Sequence, residues 1–164
     1  MLHEEVREAL NEQINLEFES AYLYLAMSSH YDEMNLPGFA SWMRVQAKEE
    51  VEHAMRIYDF VHDRGDRVTL GAIAGPTAQF GSVKDVVRQA LAHEQKVTQR
   101  IHALYQLAAQ HNDLATQTHL HWFIEEQVEE EKIVGDVLAR IELTGDAPAA
   151  LIVLDKELGQ RSGD

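Results

Sequence analysis

Glu50 and His53 stand three residues apart in the run Lys48-Glu49-Glu50-Val51-Glu52-His53-Ala54. On a helix this spacing puts a carboxylate and an imidazole one turn apart on the same face. The pair can bind a divalent metal, with the Glu free to bridge to a second ion. Alone the motif is weak, because an acidic, Ala-rich helix produces it by chance. Three other stretches strengthen it. Glu17 and Glu94 each fall among apolar residues spaced as one helix face. In a fourth stretch Gln127 and Glu131 fall inside such a stripe, with Glu130 on its flank. One Glu on an apolar stripe can snorkel to solvent. Acids turned inward at one depth from four helices repel, and each costs several kcal/mol when uncompensated. A polyvalent cation removes that cost. Carboxylates with imidazole and no thiolate suit iron or manganese better than copper(I) or structural zinc.

The place on the fourth helix that would match a second ExxH reads Gln127-x-x-Glu130. The two metal positions are therefore unequal. One has Glu17, Glu50 and His53. The other has Glu50, Glu94 and Glu130, with fewer good donors. A weaker second position suits an ion that enters, is oxidised and leaves.

These side chains need long elements to bring them together. Breakers cut the chain at Asn35-Leu36-Pro37-Gly38, between Gly65 and Gly81, at His111-Asn112-Asp113 and at Thr144-Gly145-Asp146. The spacing and caps predict helices over about 4–34, 38–64, 82–111, 113–143 and 147–158. Pro37 suits a first turn, Gly65 a C-cap, and Ser82 with Asp85 a capping box. Asp113 and Asp146 suit the starts of the last two helices. The first and third breaks are tight, so helices one and two are antiparallel, as are three and four. The middle connection can run the length of a helix, about 42 Å for 28 residues. The expected architecture is an all-α four-helix bundle, about 4–143, with one long crossover and a short C-terminal fifth helix, all within a single domain of residues 1–164.

The stripes on a helical wheel are Val6, Leu10, Ile14, Ala21 and Leu25 in helix one, with Tyr24 at the edge. Helix two contributes Phe39, Met43, Ala47, Ala54, Ile57 and Val61. Helix three contributes Val83, Val87, Ala90, Leu91, Val97, Ile101 and Leu104. Helix four contributes Leu120, Ile124, Val128, Val134 and Leu138. Glu17, Glu50, Glu94 and Gln127 each lie about 12–14 residues into their helices, near the middle of an antiparallel bundle.

Composition narrows the field. The chain has 164 residues, 14 Lys and Arg, 28 Asp and Glu, and a net charge of −14 with its nine His neutral. The acidic balance argues against nucleic acid, which needs clustered cations. It favours cation partners. There is no Cys, so a thiolate nucleophile, a disulfide framework and a Cys-ligated metal all fall away. The acidic start lacks the pattern of a signal peptide, and the aliphatic run Leu151-Ile152-Val153-Leu154 is far short of a membrane span. A cytoplasmic location with no membrane partner is expected.

With these residues in view, the chain resembles the non-haem ferritins of prokaryotes over nearly its whole length. The resemblance rests on Glu17 with Tyr24, on Lys48 through Ala54, on Glu94, and on Trp122 with Glu126-Gln127-Val128-Glu129-Glu130. It implies a ferritin-like fold and a di-iron ferroxidase centre that oxidises Fe(II) with O2 or H2O2. Glu17, Glu50 and His53 would make the first iron site. Glu50, Glu94 and Glu130 would make the second, with Gln127 beside it. Glu49, Glu126, Glu129 and Glu130 match a third iron position. Tyr24 would stand next to the centre as a hydrogen-bonding or redox-active side chain. The resemblance further implies a homo-oligomeric, hollow 24-subunit shell that stores ferric mineral. No haem is expected, because Val51 and Glu130 occupy the places of the haem-ligating Met and the second ExxH His of bacterioferritins.

Two other functions compete. A di-iron enzyme acting on an organic substrate would want symmetric ExxH pairs, and only one is present. A purely structural bundle would want inward Lys or Arg against the inward acids, and the stripes carry none. Among the remaining residues, His119 and His121 point to different sides of a helix, which suits surface or interface roles. His93 is expected at the surface or an interface, His62 and Glu125 in solvent, and Trp42 and Trp122 in packing. The fifth helix, with Ala150, Leu151, Val153, Leu154 and Leu158, is expected to pack on other subunits.

Overall fold

The computed structural model describes residues 1–145 and 147–161. The described residues form five helices: α1 (Glu4–Glu33), α2 (Pro37–Asp63), α3 (Val83–Gln110), α4 (Leu114–Thr144) and α5 (Pro148–Leu158). No strand occurs among the described residues. The expected ends are met to within one residue. The proposed start at Asp146 lies outside the described residues. Among the described residues no helix is long and apolar enough to cross a membrane.

Local chemistry explains the boundaries. Asn35 and Asn112 take up positive φ in the tight α1–α2 and α3–α4 turns, a conformation Asn tolerates better than most residues. Ser82 and Asp85 form a reciprocal capping box at α3. The Asp113 side chain accepts from the Thr116 amide at the start of α4, and Arg64 Nη1 donates to it at 2.8 Å. That contact ties the end of α2 to the beginning of α4. The crossover lies along α1, where Asn11 and Asn15, one turn apart, accept from the amides of Thr69 and Gly71. It delivers Phe80 into the core.

The apolar interior is divided. One cluster, with Tyr31, Phe39, Trp42, Met43, Val87 and Val134, fills the end nearest α5. The other, with Leu10, Ile14, Ile57, Ile101, Leu120 and Phe123, fills the opposite end. Between them every bundle helix turns polar groups inward: Glu17 and Ser20, Glu50 and His53, Glu94, then Gln127 and Glu130.

The wheel misplaces several residues. Leu25 and Val128, expected in the core, are exposed at 50% and 71%. Tyr24, expected at an edge, is fully buried. Glu130 rather than Glu131 is the buried acid of α4, while Glu131 is half-buried and accepts from Thr98 Oγ1. A wheel of ideal pitch drifts along helices this long, because the packing of neighbours sets the real rotation. The fifth helix also differs from expectation. Leu154 and Leu158 pack into its own bundle, and Asp155 Oδ1 accepts from the Phe39 amide at 2.9 Å. Ile152 and Val153 stay exposed.

The α5 contact depends on Gly38. A Cβ there would stand 1.6 Å from the backbone oxygen of Asp155. Gly38→Ala is therefore expected to cost about 1–3 kcal/mol, the usual range for overpacking, and to free α5 from the bundle. Thermal melting together with limited proteolysis at the α4–α5 junction measures both effects. Gly135→Ala, where the new methyl would point into open space, serves as the control and should leave stability unchanged or slightly raised.

Candidate metal centre

Glu17 from α1 and the Glu50–His53 pair from α2 meet in the polar layer. One ligand atom from each lies within 4.8 Å of the other two, and all three side chains are buried. His53 Nδ1 stands 3.3 Å from Glu50 Oε2. The ring is held edge-on by Trp122 and Phe123, at centroid distances of 5.3 and 6.1 Å. The Arg56 guanidinium sits over the Trp122 ring, 4.1 Å from its centroid. Trp122 thus packs, as expected, and what it packs against is the His53 imidazole.

Opposite, the Tyr24 hydroxyl donates to Glu94 Oε1. Gln127 Nε2 donates to Glu94 Oε2 at 3.1 Å, so Glu94 is gripped from α1 and α4 at once. Glu130 Oε2 accepts from Gln46 Nε2 at 2.8 Å, and Glu17 Oε1 accepts from Gln13 Nε2 at 2.7 Å. Gln13 and Gln46 are fully buried and escaped the sequence reading. Their signal is present: Gln13 precedes Glu17, and Gln46 precedes Glu50, by one helical turn. A buried carboxylate needs a neutral donor nearby, and a Gln at that spacing faces the same way.

Electrostatics marks the layer as incomplete. Burial pushes the Glu17 carboxyl above its ordinary range and the Glu50 carboxyl well above, with Glu94 and Glu17 adding repulsion at Glu50. Burial raises Glu94 to about 7, against the bonds from Tyr24 and Gln127. Burial and the charge of Glu94 raise Glu130 to about 7. Among the described residues none of these four acids pairs with Lys or Arg. Glu17 Oε2 is buried without a hydrogen-bond partner. Donors, depth and missing counter-charge all fit a multivalent cation.

The centre opens on one side into a cavity of about 340 Å³. Glu49, His53, Glu126, Glu129 and Glu130 line it. His53, Glu126 and Glu130 form a second group able to hold one ion. Every predicted site residue therefore falls either in the polar layer or on this cavity. Glu49 is half-buried, and burial raises its carboxyl.

Other histidines depart from expectation. His93 is half-buried. The Ser20 hydroxyl donates to Leu16 O, so His93 Nε2 must be the donor in its 2.6 Å contact with Ser20 Oγ. Burial lowers His93 to about 4. His119 stacks on Phe60 at 4.0 Å, and burial lowers it to about 4 as well. His121, His62 and Glu125 are exposed as expected. A third group, His3, Glu5 and His111, lies at the surface. Its two imidazoles stack face to face at 3.7 Å, so their in-plane lone pairs run side by side rather than converge.

Comparison with known proteins bears on the whole chain. Residues 7–144 match the family model of the ferritin-like domain. A bacterial non-heme ferritin of Staphylococcus saprophyticus is 41% identical over 164 residues, covering all of this chain and 98% of the relative. One from Staphylococcus aureus is 38% identical, covering all of this chain and 99% of the relative. The fold superimposes on an open-pore ferritin from the hyperthermophilic archaeon Archaeoglobus fulgidus with a TM-score of 0.98 and 46% identity, over 99% of this chain and 100% of that one. The chain belongs to the ferritin-like family.

Proposed function

We propose that the protein stores iron, and that it oxidises Fe(II) at the polar layer before the ferric product is laid down as mineral inside a hollow shell of identical subunits. The carrying observation is the meeting of Glu17, Glu50 and His53 within 4.8 Å in the dry core, with no Lys or Arg pairing the buried acids among the described residues. The names of the relatives support iron as the cargo.

In this reading Fe(II) is the substrate. Glu17 and His53 hold one ion, Glu94 and Glu130 the other, and Glu50 bridges them. Two Fe(II) each give up one electron. Dioxygen takes both, with two protons, and leaves as hydrogen peroxide. With hydrogen peroxide as oxidant, it takes the two electrons and two protons instead, its O–O bond breaks and two waters form. Tyr24 and Gln127 orient Glu94, Gln13 orients Glu17 and Gln46 orients Glu130. Such supporting bonds fix the aim and basicity of ligands. Glu49, Glu126 and Glu129 on the cavity wall receive the ferric product and pass it on. The protein supplies geometry and charge neutralisation, while the redox chemistry belongs to iron.

The alternative of an organic substrate is disfavoured by the walls of the 340 Å³ cavity, which are mainly acidic. Binding sites for organic ligands are usually lined by apolar groups.

Three measurements test this reading. Glu50→Ala combined with His53→Ala removes the bridge and the imidazole. Stopped-flow oxidation of Fe(II) should slow by more than about a hundredfold, beyond the 10–100-fold typical of losing a supporting residue. Survival of fast oxidation would disprove the assignment. Light scattering after size exclusion should give about 450 kDa for a 24-subunit shell of 18.6 kDa chains, since closed symmetric assemblies hold a fixed copy number.

The third measurement follows from protons. In the metal-free protein Glu94 and Glu130 hold theirs until about pH 7, against an ordinary value of 4.5. A folded-state value raised above the unfolded one makes stability greatest below the unfolded value and lost as pH rises through the folded value. The melting temperature of the metal-free protein should therefore carry a component that falls between about pH 4.5 and about pH 7 and is flat above. Glu94→Gln with Glu130→Gln should remove that component. An unchanged pH dependence in the double variant would refute it.

A further inference from the structure

Among the described residues, Arg161 is the one cation on the cavity wall that no other feature explains. Arg56, the other, is engaged with the Trp122 ring. Arg161 comes from the turn after α5, where its amide donates to Leu158 O at 3.2 Å. That turn is pinned to the bundle. The Gly159 backbone lies against Gly38, and Asp155 accepts from the Phe39 amide. From this anchor the guanidinium reaches back over α2, and Nη2 stands 3.8 Å from Glu49 Oε2. The contact is electrostatic but not hydrogen-bonded. Among the described residues, Glu49 Oε2 and Arg161 Nη1 are both buried with no hydrogen-bond partner. Both side chains are largely removed from solvent, Arg161 at 25% and Glu49 at 20% exposure.

We propose that Arg161 is the resident counter-charge of the cavity, competing with an incoming cation for Glu49 and so setting the affinity of the third metal position. This rests on the dinuclear reading above and adds to it a residue from outside the four-helix bundle. A metal ion bound at about 2.0–2.2 Å to a Glu49 oxygen occupies the place the guanidinium faces. The two charges repel, so the arginine must swing away when the ion arrives. The imperfect geometry of the pair makes that displacement easy. A charge partner with full bidentate bonds would hold the acid shut. Among the described residues Arg161 pairs with none of Glu17, Glu50, Glu94 and Glu130, so the first two positions lose no direct counter-charge when it is removed.

Isothermal titration of the metal-free assembled protein with Zn²⁺, which undergoes no redox turnover, tests this directly. The wild type should show two tight equivalents per chain and a weaker third. In Arg161→Ala the third should tighten by about three- to tenfold, the scale of one partly exposed charge pair, while the first two stay unchanged. Arg161→Lys retains the charge and should keep the third equivalent near wild-type strength. A third equivalent that is unchanged or weaker in Arg161→Ala, or missing from both proteins while two tight equivalents persist, overturns the proposal and leaves the dinuclear centre standing. Loss of the two tight equivalents from the wild type itself would overturn both.

Discussion

Burial of negative charge in a dry interior governs this structure. A lone carboxylate deep in a protein costs several kcal/mol, and like neighbours raise the cost. Here Glu17, Glu50, Glu94 and Glu130 are each no more than 2% exposed. The bundle accommodates them by retaining protons, by supplying neutral amide and hydroxyl donors, and by placing one imidazole among them. Each of these is a partial remedy. Protons leave as pH rises, and Gln13, Gln46, Gln127 and Tyr24 donate hydrogen bonds without cancelling charge. What remains unsatisfied is a demand for positive charge at a fixed place. In the proposed reading, a bound metal ion meets that demand and completes the folding energetics.

The division of the core serves the same end. Two apolar clusters carry the packing that holds four helices together, and the turns bearing the buried acids and His53 fall in the gap between them. A continuous apolar core would have no room for the acids. A continuous polar one would not fold. The capping contacts at Asp113 and Ser82, and the crossover fastened by Asn11 and Asn15, set the helices in register so that the four gaps coincide.

Much of this is legible in the sequence because it is local. Helix ends are written in Pro37, Ser82 and Asp113, and the inward direction of Glu17, Glu50 and Glu94 follows from their phase within apolar stripes. The ligand group is also readable because four anomalies at one depth reinforce one another. What resists reading is set by rotation and by distant contacts. Whether Glu130 or Glu131 faces inward depends on about 100° of helix rotation, which α3 decides through Thr98 and Glu94. The burial of His93 depends on Ser20, 73 residues away, and the pairing of Arg161 depends on α5 folding back on Gly38. No spacing within one helix encodes these.

The split interior also bears on how the chain can change over time. Leu10 and Tyr24 on α1 are separated by about 21 Å along the axis, with the acidic layer between them. Side chains in the two hydrophobic halves share few neighbours, and substitutions in groups that share no partners combine additively. Each half is thus free to be rebuilt residue by residue, with its own volume conserved, while the other half and the acids between them keep their places. A lineage can retune the heat tolerance of either end without disturbing the chemistry at the waist.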